Sequence, residues 1–80
     1  MKFKELYRSN KYYSVGVDDD TGEPVIEVTI TGIAWTDYYF RLTPEEFDQF
    51  KSDHASLDDL ADRMAYDKGA KYFADRLIRN

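Results

Sequence analysis

The sequence predicts an α+β domain: an antiparallel three- to four-stranded meander, followed by two or three helices packed on one sheet face. Two patterns indicate this fold. Before residue 43, β-forming segments alternate apolar and polar side chains. After residue 43, apolar residues recur three and four positions apart, as on one face of a helix. The chain has 80 residues, 42% of them hydrophobic, so we expect one small domain, 1–80, with a single core.

The chain begins with a candidate edge strand at residues 2–7. Phe3, Glu5 and Tyr7 alternate there with the residues between them, which places these three on one face of an extended segment. A short helix is the alternative for this segment.

The next two strands form a predicted hairpin. Residues 12–17 are rich in β-forming side chains, and residues 25–35 alternate so that Ile and Val share one face. The segment between them reads DDDTGEP. Asp and Gly supply turn geometry, and proline cannot donate to a sheet ladder. We therefore predict a turn at 18–24.

A third strand of the hairpin sheet is predicted at 38–42, after a turn near 36–37. Gly32 is a candidate for a bulge that bends the preceding strand. Alternation directs Tyr39 away from its neighbours in the chain. Tyr39 and Tyr13 are therefore the tyrosines that we expect to be exposed.

The first helix is predicted to begin at Thr43. Thr43 is a favoured N-cap, Pro44 suits the first helical position, and Glu46 stands where a capping box needs its carboxylate. The helix is expected to end near residues 52–54.

A second helix is predicted from Ser56. Its apolar stripe breaks at Gly69, and the apolar residues after the glycine follow a stripe of their own. We therefore predict a third helix at about 70–79. A single kinked helix over 56–79 is the alternative.

The acidic residues are concentrated in the middle of the chain. Residues 12–62 contain thirteen carboxylates and two basic residues, whereas residues 1–11 and 63–80 are each net basic. The formal net charge of −5 therefore understates how acidic the central block is. Such a block attracts cationic surfaces from a distance. It predicts a basic protein or nucleoprotein surface as the partner.

The acidic turn is also a candidate metal site, and its spacing argues against one. An EF-hand loop that begins at Asp18 needs glycine at its sixth position and glutamate at its twelfth. This chain has Glu23 and Thr29 there. It also has no cysteine and a single histidine, His54. We expect neither a metal nor another cofactor.

Catalysis and nucleic-acid binding are both disfavoured. The four glycines are scattered, so no phosphate-binding loop is present, and adjacent carboxylates on a helix point in different directions. We expect that the protein is not an enzyme. The central block has the wrong sign for phosphate contacts, which argues against direct nucleic-acid binding. There is no apolar run of about 18–20 residues for a membrane span and no signal-peptide core, so we expect no membrane contact and a cytoplasmic location.

Two groups of carboxylates and one aromatic residue are the predicted partner-binding site. The first group lies in the hairpin turn, the second at the start of the second helix, and tyrosine is a favoured anchor of protein interfaces. The predicted site residues are Asp18, Asp19, Asp20, Glu23, Tyr39, Asp58, Asp59 and Asp62.

Three segments combine this acidic balance with the order of strands before helices: VDDDTGEPVIEV (17–28), LTPEEFDQF (42–50) and SLDDLADRM (56–64). In these segments, and in its small size, the chain resembles small phage-encoded anti-CRISPR proteins. The resemblance implies an inhibitor of a nucleic-acid-handling defence complex such as CRISPR–Cas, acting by nucleic-acid mimicry or by steric blocking of a basic groove. Immunity proteins that neutralise a cationic toxin are also similar. A homodimeric interaction module without an inhibitory role is the third hypothesis.

Overall fold

The computed structural model describes residues 1–30, 36–67 and 72–78. Each of the four strands pairs antiparallel with the next one in the chain, and the helices follow them, which confirms the predicted α+β meander. The elements are β1 (Phe3–Arg8), β2 (Tyr13–Asp18), β3 (Pro24–Ile30), β4 (Thr36–Arg41), α1 (Pro44–Ser52), a 3₁₀ turn (His54–Leu57) and α2 (Asp58–Asp67). None of the helices within these ranges is long and apolar enough to cross a membrane.

One face of the sheet, the helix face, carries the core. Val15, Ile26 and Phe40 stand opposite one another on β2, β3 and β4, and all three are fully buried. Leu57 and Met64 pack against them from the helical layer. The other face, the open face, carries Phe3, Glu5, Arg8, Ser14, Gly16, Asp18, Val25, Glu27, Thr29, Asp37, Tyr39 and Arg41.

A β-bulge divides β1 between the two faces. Glu5 pairs with Gly16 and Tyr7 with Val15, so Leu6 is an extra residue in the ladder. The extra residue turns Tyr7 onto the helix face, where its ring lies 5.4 Å from that of Phe50. The edge strand is thus confirmed, but the prediction that Glu5 and Tyr7 share a face is wrong.

The C-terminal segment covers the outer edge of β4. The Arg41 amide donates to the Arg76 carbonyl (2.9 Å), and the Ile78 amide donates to the Tyr39 carbonyl (2.8 Å). Residues 72–78 form a turn and a bridge to β4 rather than a helix. The prediction of a helix at 70–79, separate or continuous with the second helix, is therefore wrong over 72–78.

The helix starts are partly as predicted. The Thr43 hydroxyl accepts a hydrogen bond from the Glu46 amide (3.2 Å), and the Glu46 carboxylate accepts one from the Thr43 amide (2.8 Å). This confirms the capping box. The second helix, α2, begins at Asp58 rather than at Ser56, because a 3₁₀ turn precedes it, which Asp53 caps through the Ala55 amide (3.1 Å).

Two further predictions about the strands are corrected. Thr36 and Asp37 lie within β4 rather than in a turn, paired with Ile30 and Thr29. Tyr13 is 2% exposed rather than exposed, because it shares the helix face with Val15. The predicted bulge at Gly32 lies outside the described residues.

Candidate functional site

The first predicted acidic cluster lies in the turn between β2 and β3, and Asp18 is part of the turn itself. Its carboxylate accepts hydrogen bonds from the backbone amides of Asp20 (2.9 Å) and Lys2 (3.3 Å). The bond from the Asp20 amide is the largest cause of the lowered pKa of Asp18, since hydrogen bonds to a carboxylate favour its charged form. Asp18 therefore holds the hairpin turn in shape.

The other members of this cluster face solvent. Glu23 lies 3.7 Å from the Arg41 guanidinium. Asp19 and Asp20 are exposed, and within the described part of the chain their carboxylates have neither an ion pair nor a hydrogen bond. They are the two residues of the turn whose charge is available to a partner.

The second predicted cluster also contains one structural carboxylate. The Tyr13 hydroxyl donates a hydrogen bond of 2.5 Å to Asp58, and the Lys11 ammonium lies 3.4 Å from the same carboxylate. The Tyr13 bond is the largest cause of the lowered pKa of Asp58. Burial, followed by the bond to Asp58, raises the pKa of Tyr13 far above its usual value. Asp58 thus ties the start of α2 to β2.

Asp59 and Asp62 differ from Asp58 in having no such bond. Both are exposed on α2, and neither carboxylate has an ion pair or hydrogen bond among the described residues. Asp62 also lines a groove of about 240 Å³ between α2 and β3, with Lys11 and Ala65.

The two acidic clusters lie at opposite ends of the sheet. Asp18 ends β2, whereas Asp58 bonds Tyr13 at its beginning. A strand rises about 3.4 Å per residue, so the five steps from Tyr13 to Asp18 separate the clusters by roughly 17 Å. A partner that contacts both clusters has to span the length of the sheet.

Tyr39 lies on the open face, as alternation predicts, but it is half-buried rather than exposed. Its ring contacts Phe3 edge to face, with 5.4 Å between the centroids. A hydrogen bond to Glu27, followed by burial, raises the pKa of Tyr39 to about 12. Its hydroxyl is therefore a neutral donor at pH 7. Phe3 pairs with Asp18 across the strands, which places this aromatic pair beside the first acidic cluster.

The Phe3–Tyr39 contact closes one half of the open face. Phe3 is on β1 and Tyr39 on β4, so their rings meet across both inner strands. The register places Gly16 and Val25 between them. Val25 is fully buried although the helical layer lies on the opposite face.

The other half of the open face contains a concave site, which we call the open-face cavity. Its volume is about 530 Å³, within the usual range for ligand sites, and Arg8, Ser9, Asn10, Tyr12, Glu27, Thr29 and Asp37 line it. The Asp37 carboxylate accepts a hydrogen bond from the Thr29 hydroxyl (2.8 Å). Arg8 is the one basic residue among the described residues of the lining, and its guanidinium lies 2.8 Å from Glu5.

Tyr12, at the rim of this cavity, has an unusual backbone. Its φ is 64°, a left-handed conformation that is uncommon for any residue with a large side chain. It stands in the turn between β1 and β2, where such hairpins usually place glycine. The Tyr12 side chain is 62% exposed. The sequence therefore places a large aromatic ring at a position where backbone energy favours glycine.

Sequence reasoning did not find the open-face cavity. The polar alternation of β3 is a signal for Glu27 and Thr29, but it does not show which residues stand beside them. Arg8 and Asp37 join the site through the strand register, which depends on the bulge in β1 and on the extent of β4.

No family model, no curated protein and no solved structure matches this chain.

Proposed function

We propose that this protein is a small acidic inhibitor that binds a basic groove on a nucleic-acid-handling protein. A bacterial defence complex such as CRISPR–Cas is the target class that the resemblance to anti-CRISPR proteins implies. In this proposal Asp19 and Asp20 in the turn, and Asp59 and Asp62 on α2, supply the charge that steers the inhibitor to its target.

The observation that carries the proposal is the internal pairing of the basic residues. Five of the basic side chains in the described ranges already contact a carboxylate of the same chain within 4 Å. These pairs are Arg8–Glu5, Lys11–Asp58, Arg41–Glu23, Lys51–Asp48 and Arg76–Glu46. Among the described residues, the surface offered to a partner is therefore richer in unpaired carboxylates than in unpaired basic side chains. Complementary charge accelerates the encounter with a basic surface and makes it sensitive to salt.

Steric blocking with electrostatic steering fits the charge density better than close imitation of a duplex. The longest dimension of the protein is 33 Å, and that length of B-DNA carries about 19 phosphate charges. The whole chain has 16 acidic residues, several of which are paired internally. Its surface is thus less charged than the ligand that it would replace.

The hypothesis of a homodimer formed through sheet edges has less support. Residues 76–78 cover the outer edge of β4. The edge strand β1 carries Lys4 and Arg8 and contains a bulge, and both charge and bulges discourage edge-to-edge pairing.

The test is affinity capture from lysate of the bacterial host at about 0.05 M and about 0.5 M salt, concentrations at which charges are screened very differently. The bait variants are Asp19→Lys/Asp20→Lys and Asp59→Lys/Asp62→Lys. Asp18 and Asp58 are left unchanged because their carboxylates stabilise the fold. Glu45→Lys/Asp75→Lys is the matched control, since it makes the same change in net charge at other exposed positions.

We expect capture of a basic nucleic-acid-handling protein at low salt, lost at high salt and lost in at least one acidic-cluster variant but not in the control. Equal loss in all three variants would mean that only net charge matters, and the proposed interface would be wrong. Capture of a toxin encoded beside this protein would favour the immunity hypothesis over the anti-defence hypothesis. Recovery of the protein alone at both salt concentrations would favour the homodimeric module.

A further inference from the structure

We propose that the open-face cavity binds a guanidinium group, presented by an arginine side chain of the basic partner. The proposed function supplies only the source of this arginine. The preference of the cavity for guanidinium follows from its own residues.

The cavity contains two carboxylates whose charge no cation in the described chain neutralises. Asp37 stands opposite Thr29, two residues along β3 from Glu27, and such diagonal neighbours lie about 7–8 Å apart. The Tyr39 hydroxyl donates a hydrogen bond to Glu27, and the negative charge of Asp37 adds to the raised pKa of Tyr39. Their hydrogen-bond donors, Tyr39 and Thr29, are neutral groups. Each carboxylate therefore has oxygen lone pairs left for a ligand.

A buried hydroxyl is a second, independent sign of a ligand. Arg8, Ser14 and Glu27 form one row across β1, β2 and β3. Ser14 is 1% exposed, and its hydroxyl has no hydrogen-bond partner within the described residues. Buried polar groups without a partner are rare. Ser14 is not itself part of the cavity lining, but both of its neighbours in the row are, so its hydroxyl lies directly beside the site.

The arrangement suits guanidinium better than ammonium. A guanidinium group is planar and has five donors in a rigid fork, so it can bond two separated carboxylates at once. An ammonium group is a compact, strongly hydrated point charge. Tyr12 at the rim adds an aromatic face on which arginine stacks more often than lysine. Arg8 does not occupy this position, because its guanidinium is paired with Glu5 at 2.8 Å.

The experiment is a titration of the full chain, followed by amide chemical shifts at low salt. The probe is N-acetyl-arginine amide, which carries the single charge of an arginine residue within a chain. N-acetyl-citrulline amide has the same shape without the charge, and N-acetyl-lysine amide has the charge without the fork. Free arginine represents a small-molecule source of the same group.

We expect shift changes centred on the amides of Tyr12, Ser14, Glu27, Thr29 and Asp37. Binding of the arginine amide should be at least about tenfold tighter than that of the citrulline or lysine amides, a factor worth about 1.4 kcal/mol. Glu27→Gln and Asp37→Asn should each weaken it by a similar factor. Glu23→Gln removes the same charge at the far end of the sheet and should leave it unchanged. The spectra also report directly whether each variant is folded.

Three outcomes would overturn the proposal. Citrulline or lysine amides that bind as well as the arginine amide would exclude a guanidinium site. Shifts spread evenly over the turn and α2 would mean general attraction to an acidic surface. Free arginine that binds more tightly than the blocked form would identify a small molecule, rather than a side chain of the partner, as the occupant.

The guanidinium site and the proposed function can fail separately. If the arginine amide binds the cavity while host capture does not depend on the acidic clusters, the inhibitor proposal fails and the guanidinium site stands. If capture depends on those clusters while the arginine amide does not bind the cavity, the guanidinium site fails and the inhibitor proposal stands.

Discussion

Replacing Tyr13 by Phe should lower the free energy of unfolding by about 1.5 kcal/mol, because it removes the hydrogen bond between Tyr13 on the sheet and Asp58 at the start of α2. The hydroxyl belongs to a side chain that is 2% exposed and lies 2.5 Å from the Asp58 carboxylate. Hydrogen bonds to charged groups contribute about 1.5–3 kcal/mol, and the lower end applies because the Asp58 side chain is 25% exposed. For a domain of this size the loss corresponds to a fall in Tm of roughly 6–12 °C.

The assay is urea unfolding followed by circular dichroism, with Tyr38→Phe as the matched control. Tyr38 is a half-buried tyrosine on the same face of the sheet, and its hydroxyl has no hydrogen bond among the described residues. The control should change the free energy of unfolding by less than about 0.5 kcal/mol. If Tyr13→Phe is no less stable than Tyr38→Phe, the Asp58 bond does not stabilise the fold, and Asp58 becomes available to a partner like its neighbours.

The same bond predicts how the difference between wild type and Tyr13→Phe depends on pH. The folded pKa of Asp58 is lowered, so its contribution is present above the unfolded value of about 3.9 and is lost as pH falls through the folded pKa. The folded pKa of Tyr13 is raised, so its contribution is present below about pH 10 and is lost as pH rises further. The difference in stability should be constant near neutral pH and shrink at both extremes.

Substitutions at three other positions test separate parts of the structure, each by urea unfolding. Gly16→Ala should destabilise the domain by about 3 kcal/mol or more, because a Cβ there would overlap the backbone carbonyl oxygen of Lys4. Tyr12→Gly should be more stable than Tyr12→Ala by about 1 kcal/mol, since a left-handed backbone costs a non-glycine residue about 1–2 kcal/mol. Both variants should weaken binding of the arginine amide. Glu46→Gln keeps a capping-box side chain but loses the charge that faces Arg76 at 2.9 Å, so it should lower the free energy of unfolding by about 1 kcal/mol. Glu46→Ala also loses the capping box and should lower it by about 2 kcal/mol.

The parts of the fold that were predicted correctly depend on local chemistry. The capping box of α1 involves Thr43 and Glu46, which are three residues apart. Both partners lie in one short segment, so the sequence alone can reveal the motif. The bulge in β1 is different. It exists only in relation to β2, where Gly16 lets the Lys4 backbone approach closely, and no spacing within residues 2–7 reveals it.

The failed third helix shows how sheet pairing overrides local periodicity. The apolar spacing at 70–77 fits a helix, but an edge strand has unpaired amide and carbonyl groups that another segment can satisfy. The Arg41 and Ile78 amides donate their hydrogen bonds between β4 and the C-terminal segment. Phe73 is buried with its ring 6.2 Å from that of Phe40, so its apolar side chain still reaches the core without a helix.

The candidate site was only partly predicted, because tertiary contacts decide which of its carboxylates are paired within the fold. Asp58, Asp59 and Asp62 form one group in the sequence, but among the described residues only the Asp58 carboxylate has a hydrogen bond and an ion pair. Asp58 bonds Tyr13, which is 45 residues away, and only the tertiary structure can reveal such a partner. The sequence identifies where acidic residues are concentrated; it does not identify which of them the fold uses.

The uncovered face explains why a partner is expected on this side of the sheet. A two-layer domain leaves one sheet face without helices, and in this protein the two halves of that face differ. Phe3 and Tyr39 close one half over Val25, which is fully buried. The other half holds the carboxylates of Glu27 and Asp37, next to the buried hydroxyl of Ser14, which has no hydrogen-bond partner among the described residues. An open face that only had to be soluble would need exposed polar side chains, but no cavity and no buried hydroxyl. Both features are accounted for if a cationic donor enters from outside the chain.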